Sequence, residues 1–172
     1  MSDVYVISDC HFGHKRILKY RTGFSSIEEH DSTIMGNILS TIQKRDTLWM
    51  LGDCFFTLES LEFLRRIKAQ CFKVHLVLGN HDTDNDECQE NIRIILREGL
   101  VDKIGSTFKY KGKWMTHCPI HPDELRGLMN VHGHVHSNTI PDMRYFNACV
   151  ENINYSPILL NSIKKPPAKL KN

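Results

Sequence analysis

With 172 residues, 41% of them hydrophobic and 24% charged, the chain has the size and composition of one ordinary globular domain, able to bury roughly two-thirds of its unfolded surface without covalent or metal staples. A net charge of +2 is too small to argue for a duplex-binding surface, and no apolar run approaches the roughly 18 residues of a membrane span. Six cysteines without a CxxC pair, and no N-terminal signal peptide, predict a reduced, cytoplasmic chain.

In chain order, Val4 to Ile7 is a β-branched and aromatic run that predicts a buried strand, ending in Ser8-Asp9-Cys10-His11-Phe12-Gly13-His14. Asp9 and His11, two residues apart, share a face if the backbone stays extended. A short helix is expected from Lys15 to Tyr20. Ile27, Ile34, Ile38, Leu39 and Ile42 recur at helical spacing, so a covering helix is expected from Ser25 or Ser26 through Lys44. A second strand, Thr47 to Leu51, ends in Gly52-Asp53. A helix over Leu58 to Ala69 leads to a third strand, Phe72 to Leu78, which ends in Gly79-Asn80-His81-Asp82. Three strands joined by helical crossovers, each ending in potential ligands, describe parallel βαβ units.

After a helix over roughly Asn91 to Arg97, closed by Gly99, the pattern turns to strands. Val101 to Tyr110 and Lys113 to Thr116 flank Lys111-Gly112 as a hairpin, with His117-Cys118-Pro119 at its end. Met129 to His136 carries Gly133-His134-Val135-His136, Arg144 to Glu151 is the last strong strand, and Tyr155 to Leu160 reads as a terminal one. A second sheet packed on the first is expected, in a single domain over residues 1–163. Residues 164–172, with four lysines and two consecutive prolines, read as a basic, flexible tail.

Ten histidines are the compositional outlier. Asp9, His11, Asp53, Asn80, His117, His134 and His136 come from five segments, each at the end or edge of a predicted strand. A mixed oxygen and imidazole set suits divalent ions such as Mn, Fe, Ni or Zn, and seven donors exceed the needs of one tetrahedral ion. Cys10, Cys54 and Cys118 each follow one of these residues and are expected behind the site, in the core.

Asp9-x-His11, Gly52-Asp53, Gly79-Asn80-His81-Asp82, His117 and Gly133-His134-x-His136 resemble, in order, the five motifs of the calcineurin-like metallophosphoesterases, closest to the small cap-less prokaryotic and phage members. The resemblance implies an α/β four-layer sandwich, two mixed β-sheets flanked by helices. It implies two divalent ions, Mn foremost and Ni, Fe or Zn as alternatives: Asp9, His11 and His136 on one, Asn80, His117 and His134 on the other, Asp53 bridging both. Phosphate esters would then be hydrolysed through a metal-bridging hydroxide, with His81 beside Asn80 acting on the phosphate or leaving group and Asp53 and His81 as the catalytic pair.

His14 and Arg16 are candidates for the substrate phosphate. Asp82 is a candidate for orienting His81 or contacting substrate, and equally a turn residue. His132 is read as a group behind the ligands or a hydrogen-bonded core histidine, and 119–127 as a polar surface loop. The GDxxDRG run of the protein phosphatases is absent, since Gly52-Asp53 continues as Cys54-Phe55-Phe56-Thr57-Leu58. The expected substrate is a small phosphodiester, a nucleotide or a nucleic-acid end, with Lys15, Arg16, Arg21 and the C-terminal lysines leaning toward polyanions. The alternatives are a nucleotide pyrophosphatase, a phosphomonoesterase and a non-catalytic scaffold. A metallo-β-lactamase is disfavoured because His132 to Ser137 lacks HxHxDH. No membrane or obligate protein partner is expected.

Overall fold

The structure, a computed structural model, describes residues 2–164. The expected tail therefore lies, apart from Lys164, outside the described residues. Two mixed sheets pack face to face. The larger has the order β4-β3-β2-β1-β9 and comprises β1 (Val4–Ile7), β2 (Thr47–Met50), β3 (Lys73–Val77), β4 (Lys103–Gly105) and β9 (Ile158–Leu159). Its first four strands are parallel and β9 runs antiparallel to β1. The smaller has the order β5-β6-β7-β8, from β5 (Thr107–Tyr110), β6 (Lys113–Thr116), β7 (Met129–His132) and β8 (Tyr145–Asn147).

Side-chain alternation along the central strands divides the core in two. Ile7, Leu48, Met50, Val74 and Leu76 face helices α1 (Ile27–Thr41), α2 (Leu61–Gln70) and α3 (Asp86–Arg97), meeting Ile34, Ile38, Leu64, Ile67 and Ile95. Val4, Val6, Trp49, Leu51 and Val77 point the other way and meet Met115, Met129 and Val131 of the smaller sheet. The outer face of that sheet carries no α-helix among the described residues. Segment 118–128, with a 3-10 turn at Pro122–Leu125, closes it, tied down by Trp114 Nε1 donating to the Leu125 carbonyl (3.2 Å), the Ile120 amide to Asn130 Oδ1 (2.9 Å) and the Tyr145 hydroxyl to the Ile120 carbonyl (2.7 Å). The 119–127 segment is thus an ordered cover with Leu125 buried beneath it.

Several boundaries differ from those expected. The arm Val101 to Tyr110 is split, since β4 pairs with β3 in the larger sheet whereas β5 pairs with β6 in the smaller. The chain changes sheets at Ser106, which a continuous apolar pattern does not announce. Helix α3 starts five residues earlier than Asn91, because the Asn85 side chain accepts from the Cys88 amide and caps it. Residues 15–20 form a 3-10 turn, Lys15–Lys19, and the strands expected at 129–136, 144–151 and 155–160 shrink to β7, β8 and β9.

One buried residue works against this packing. His75 is 4% exposed, packs its ring at a tilt against Trp49 with 4.5 Å between centroids, and leaves its Nδ1 without a partner. Burial, helped by Lys103, lowers its pKa to about 4. The unfolded chain, titrating near 6.5, therefore binds the extra proton first, and this contribution to stability is lost as the pH falls from 6.5 through 4. His75→Leu is expected to abolish about 1–2 kcal/mol of the stability difference between neutral and mildly acidic buffer, read from urea midpoints at the two pH values.

Candidate metal centre

The five donor segments follow the C-terminal ends of β1, β2, β3, β6 and β7 and meet at one end of the sandwich. They are not extended. Asp9, His11, Asp53, His134 and His136 have φ of 55°, 53°, 52°, 71° and 50°, in the left-handed region that non-glycine residues rarely occupy. Sharing a strand face is thus not what brings Asp9 and His11 together. Successive left-handed bends fold the donors inward, and cross-connections hold them. The Asp9 and His11 amides donate to the carbonyls of Gly52 (3.1 Å) and Asp53 (3.0 Å), and the His134 amide donates to Asp9 Oδ2 (2.9 Å), linking the two sheets.

Tight spacing surrounds these bends. A Cβ on Gly79 would lie 2.1 Å from Asp53 Oδ1 and 2.7 Å from the Asp53 amide, and one on Gly133 would lie 2.3 Å from Asp9 Oδ2. Gly79→Ala is therefore expected to displace Asp53 and weaken metal uptake by roughly 10–100-fold, on the scale of losing a ligand-supporting contact. Gly36→Ala, at a helical position with open space, is the control, and isothermal titration with Mn compares them.

Asp9, His11 and His136 place one donor atom each within 4.8 Å of one another, as do Asp9, Asp53 and His117. On the far side, Asn80 Oδ1 lies 2.9 Å from His117 Nε2 and 2.8 Å from His134 Nδ1, with 3.2 Å between the two rings' nitrogens. His117 Nε2 is 3.2 Å from Asp53 Oδ2, so Asp53 stands between the two groups. Asp9, His11, Asp53 and His117 are buried, whereas Asn80 and His134 are exposed, giving a closed floor and an open rim.

A cation fits this arrangement. Asp9 Oδ1 and His11 Nε2, 3.8 Å apart, are buried without a hydrogen-bond partner, an unusual state for buried polar atoms, and both belong to the Asp9, His11 and His136 group. Burial raises the Asp9 carboxyl, but its contacts with His11 and Ser8, the His134 amide and the charge of His117 outweigh this and hold it well below the usual carboxylate range. Burial lowers His117, yet Asp53 and Asp9 raise its pKa to about 9, so a metal there must displace a proton. The His117 Nδ1 is 2.8 Å from the Leu51 carbonyl; donating there leaves the lone pair of Nε2 available to a cation.

The other candidates sort differently. His14 stacks on Phe56 at 4.2 Å and sets its Nδ1 2.9 Å from His11 Nδ1, while burial lowers its pKa to about 4. It lies against the His11 ring, stacked at 5.1 Å. Arg16 is exposed. Asp82 is buried, and its Oδ2 accepts from the Gly79 (2.6 Å) and Asp53 (3.2 Å) amides, so it braces two donor loops; burial raises its pKa to about 6. The residue that holds His81 is Asp84, 2.5 Å from its Nδ1. His132 is a buried histidine bonded to the Gly133 carbonyl, 2.9 Å away.

Cys10 and Cys54 are buried as expected, but Cys118 is exposed, with a donor atom within 4.8 Å of those of His117 and His134. Arg21, expected on a basic surface, is 2% exposed and bonded to Glu151. Neither Asp84 nor Glu151 stood out in the sequence, because each lies outside the five motifs.

The family model for calcineurin-like phosphoesterases matches residues 2–168. The uncharacterized protein MJ1445 of Methanocaldococcus jannaschii is 31% identical, with 96% of this chain and 91% of that protein aligned. The gene 66 protein of Mycobacterium phage L5 is 30% identical, with 81% of this chain and 80% of that protein aligned. The crystal structure of AQ665 from Aquifex aeolicus, a protein of unknown function, matches with a TM-score of 0.71 and 28% identity, over 95% of this chain and 98% of that one. No helix among the described residues is long and apolar enough to cross a membrane. A metal-ready donor cluster at the strand ends and a family match over nearly the whole chain thus agree: the chain belongs to the calcineurin-like phosphoesterases, metal-dependent hydrolases of phosphate esters.

Proposed function

We propose that this protein is a two-metal phosphodiesterase acting on a nucleotide, a nucleic-acid end or another small diester. The observation that carries the reading is the position of Asp53 between two donor groups, Asp9, His11 and His136 on one side and Asn80, His117 and His134 on the other. Two divalent ions held there, Mn foremost, supply charge for the phosphoryl oxygens and activate water.

The chain's own residues do the rest. Asp9 and Asp53 contribute the negative charge that draws divalent cations, and His117 and His11 present ring nitrogens whose other sides are fixed. His81, with Nδ1 held by Asp84, keeps Nε2 as its free ring nitrogen to give a proton to the departing oxygen.

A diester is favoured over a monoester by charge. A monoester dianion asks for an additional cation, and the buried guanidinium nearest the donors, Arg21, is engaged by Glu151 and by the Asp9 and Cys10 carbonyls. The open rim at Asn80 and His134 leaves room for the second ester substituent.

The test is turnover of bis(p-nitrophenyl) phosphate against p-nitrophenyl phosphate, crossed with Mn, Ni, Mg and Zn. Faster diester cleavage is expected. Faster monoester cleavage would make it a phosphomonoesterase, and activity confined to nucleotide anhydrides a pyrophosphatase. Uptake of less than one ion per chain with no turnover would favour a scaffold.

A further inference from the structure

Behind His136 lies a buried polar chain that none of the five motifs contains. His136 Nδ1 is 2.9 Å from Glu151 Oε1, and the same oxygen takes Arg21 Nε and Nη2, both at 2.8 Å. Glu151 lies in the 3-10 turn Val150–Asn152 that comes after β8, 15 residues beyond His136. Arg21 Nη2 also donates to the Asp9 carbonyl (2.7 Å), and Nη1 to the Cys10 carbonyl (3.3 Å) and to His30 Nε2 (2.8 Å). His30 Nδ1 lies 2.7 Å from Asp31 Oδ1, and Asp31 Oδ2 accepts the Gly13 amide at 2.8 Å. Arg21 and His30 are 2% and 0% exposed.

Donor directions follow from the chemistry. A guanidinium only donates, so His30 Nε2 must accept, His30 Nδ1 carries the proton, and that proton goes to Asp31. In the same way, the Glu151 carboxylate only accepts, so His136 carries its proton on Nδ1 and turns the lone pair of Nε2 outward. The charge of Glu151 is matched by Arg21 at contact distance, so it adds no net charge beside the donors. The two ends of the chain grip the loop 9–13 and His136, which between them supply Asp9, His11 and His136.

We propose that Glu151, seated by Arg21, is a positioning residue that fixes the tautomer and direction of His136 and, through Arg21, the Asp9 to Gly13 loop, so that one of the two metal positions is assembled before an ion arrives. This rests on the reading of His136 as a ligand. The pair acts on one metal position only: Asn80, His117 and His134 make no contact with it in the bonds described.

The experiment measures Mn binding to the full chain by isothermal titration, with apo-protein thermal unfolding as a fold control. His136→Ala should lose one of two ions; if it does not, or if the wild type takes up fewer than two, the ligand reading itself fails. Given that result, Glu151→Leu is expected to weaken one ion by about 10–100-fold and leave the other unchanged. Glu151→Gln, whose carbonyl oxygen still accepts from His136 and Arg21, should restore most of the affinity. Wild-type binding of both ions by a folded Glu151→Leu protein would overturn the proposal.

Because removing Glu151 leaves Arg21 buried without its counter-charge, that variant is at risk of unfolding. A second measurement needs no variant. Ring nitrogen NMR shifts of the metal-free wild type should show His136 protonated at Nδ1, with that proton slow to exchange. A neutral ring whose proton sits on Nε2 would overturn the proposal.

Discussion

Replacing Asp53 by asparagine is expected to lower phosphodiester turnover by at least about 10²–10³-fold, the scale of removing a single preorganised charge contact from a catalytic site, while leaving the fold intact. Asp53 is 2% exposed, faces His117 Nε2 at 3.2 Å and accepts the His81 amide at 2.9 Å. The asparagine side chain retains an oxygen for that amide, so the strand end keeps its shape. What disappears is a formal charge at the point between the two donor groups, where repulsion between two cations is greatest. Steady-state kinetics together with ion content per chain make the check. Unchanged turnover in the variant would remove Asp53 from the bridging position.

His81→Ala is expected to keep both ions and slow the chemical step by about 10²–10⁴-fold, the usual contribution of a positioned proton donor. The geometry makes this substitution clean. His81 touches Asp53 through its backbone amide, which alanine retains, while its ring is 38% exposed and turned to Asp84. Asp84→Asn should slow turnover less, since an amide can still hold the ring but carries no charge. Loss of an ion in His81→Ala would instead make the ring a ligand. A leaving group that needs no proton, such as p-nitrophenolate, should narrow the gap between His81→Ala and the wild type, and comparing it with an alkyl leaving group separates proton donation from charge stabilisation.

Much of the site could be read along the chain because its parts are punctuated locally. Val4 to Ile7, Thr47 to Met50 and Lys73 to Val77 are short, largely apolar strands, and each is followed within two residues by a serine or a glycine. Parallel strands joined by helices share one C-terminal edge, so order alone carries Asp9, His11, Asp53, Asn80 and His81 to one end of the sheet. Gly79 and Gly133 were visible as residues; the close approach of their backbones to the Asp53 and Asp9 carboxylates was not.

Other features escaped because they depend on partners far away in the chain. Arg21 looks like a surface cation in its local setting, and only the Glu151 carboxylate, 130 residues later, explains its burial. Asp82 and Asp84 are equivalent by spacing to a reader of the turn, yet one points to the Gly79 and Asp53 amides and the other to His81. Cys118 follows a donor just as Cys10 and Cys54 do. Those two sit beneath the larger sheet's helical layer, whereas Cys118 opens to the rim.

The sequence by itself determined the two-sheet α/β class, the parallel first half and the order in which the candidate donors come along the chain, because hydrophobic periodicity and strand-end chemistry are properties of short stretches. Only the tertiary structure decided how the donors converge, through five left-handed residues rather than shared strand faces, where the chain changes sheets at Ser106, and which charged groups brace the site. Those depend on packing between distant segments, where a strained backbone angle or a buried ion pair persists because the surrounding contacts hold it.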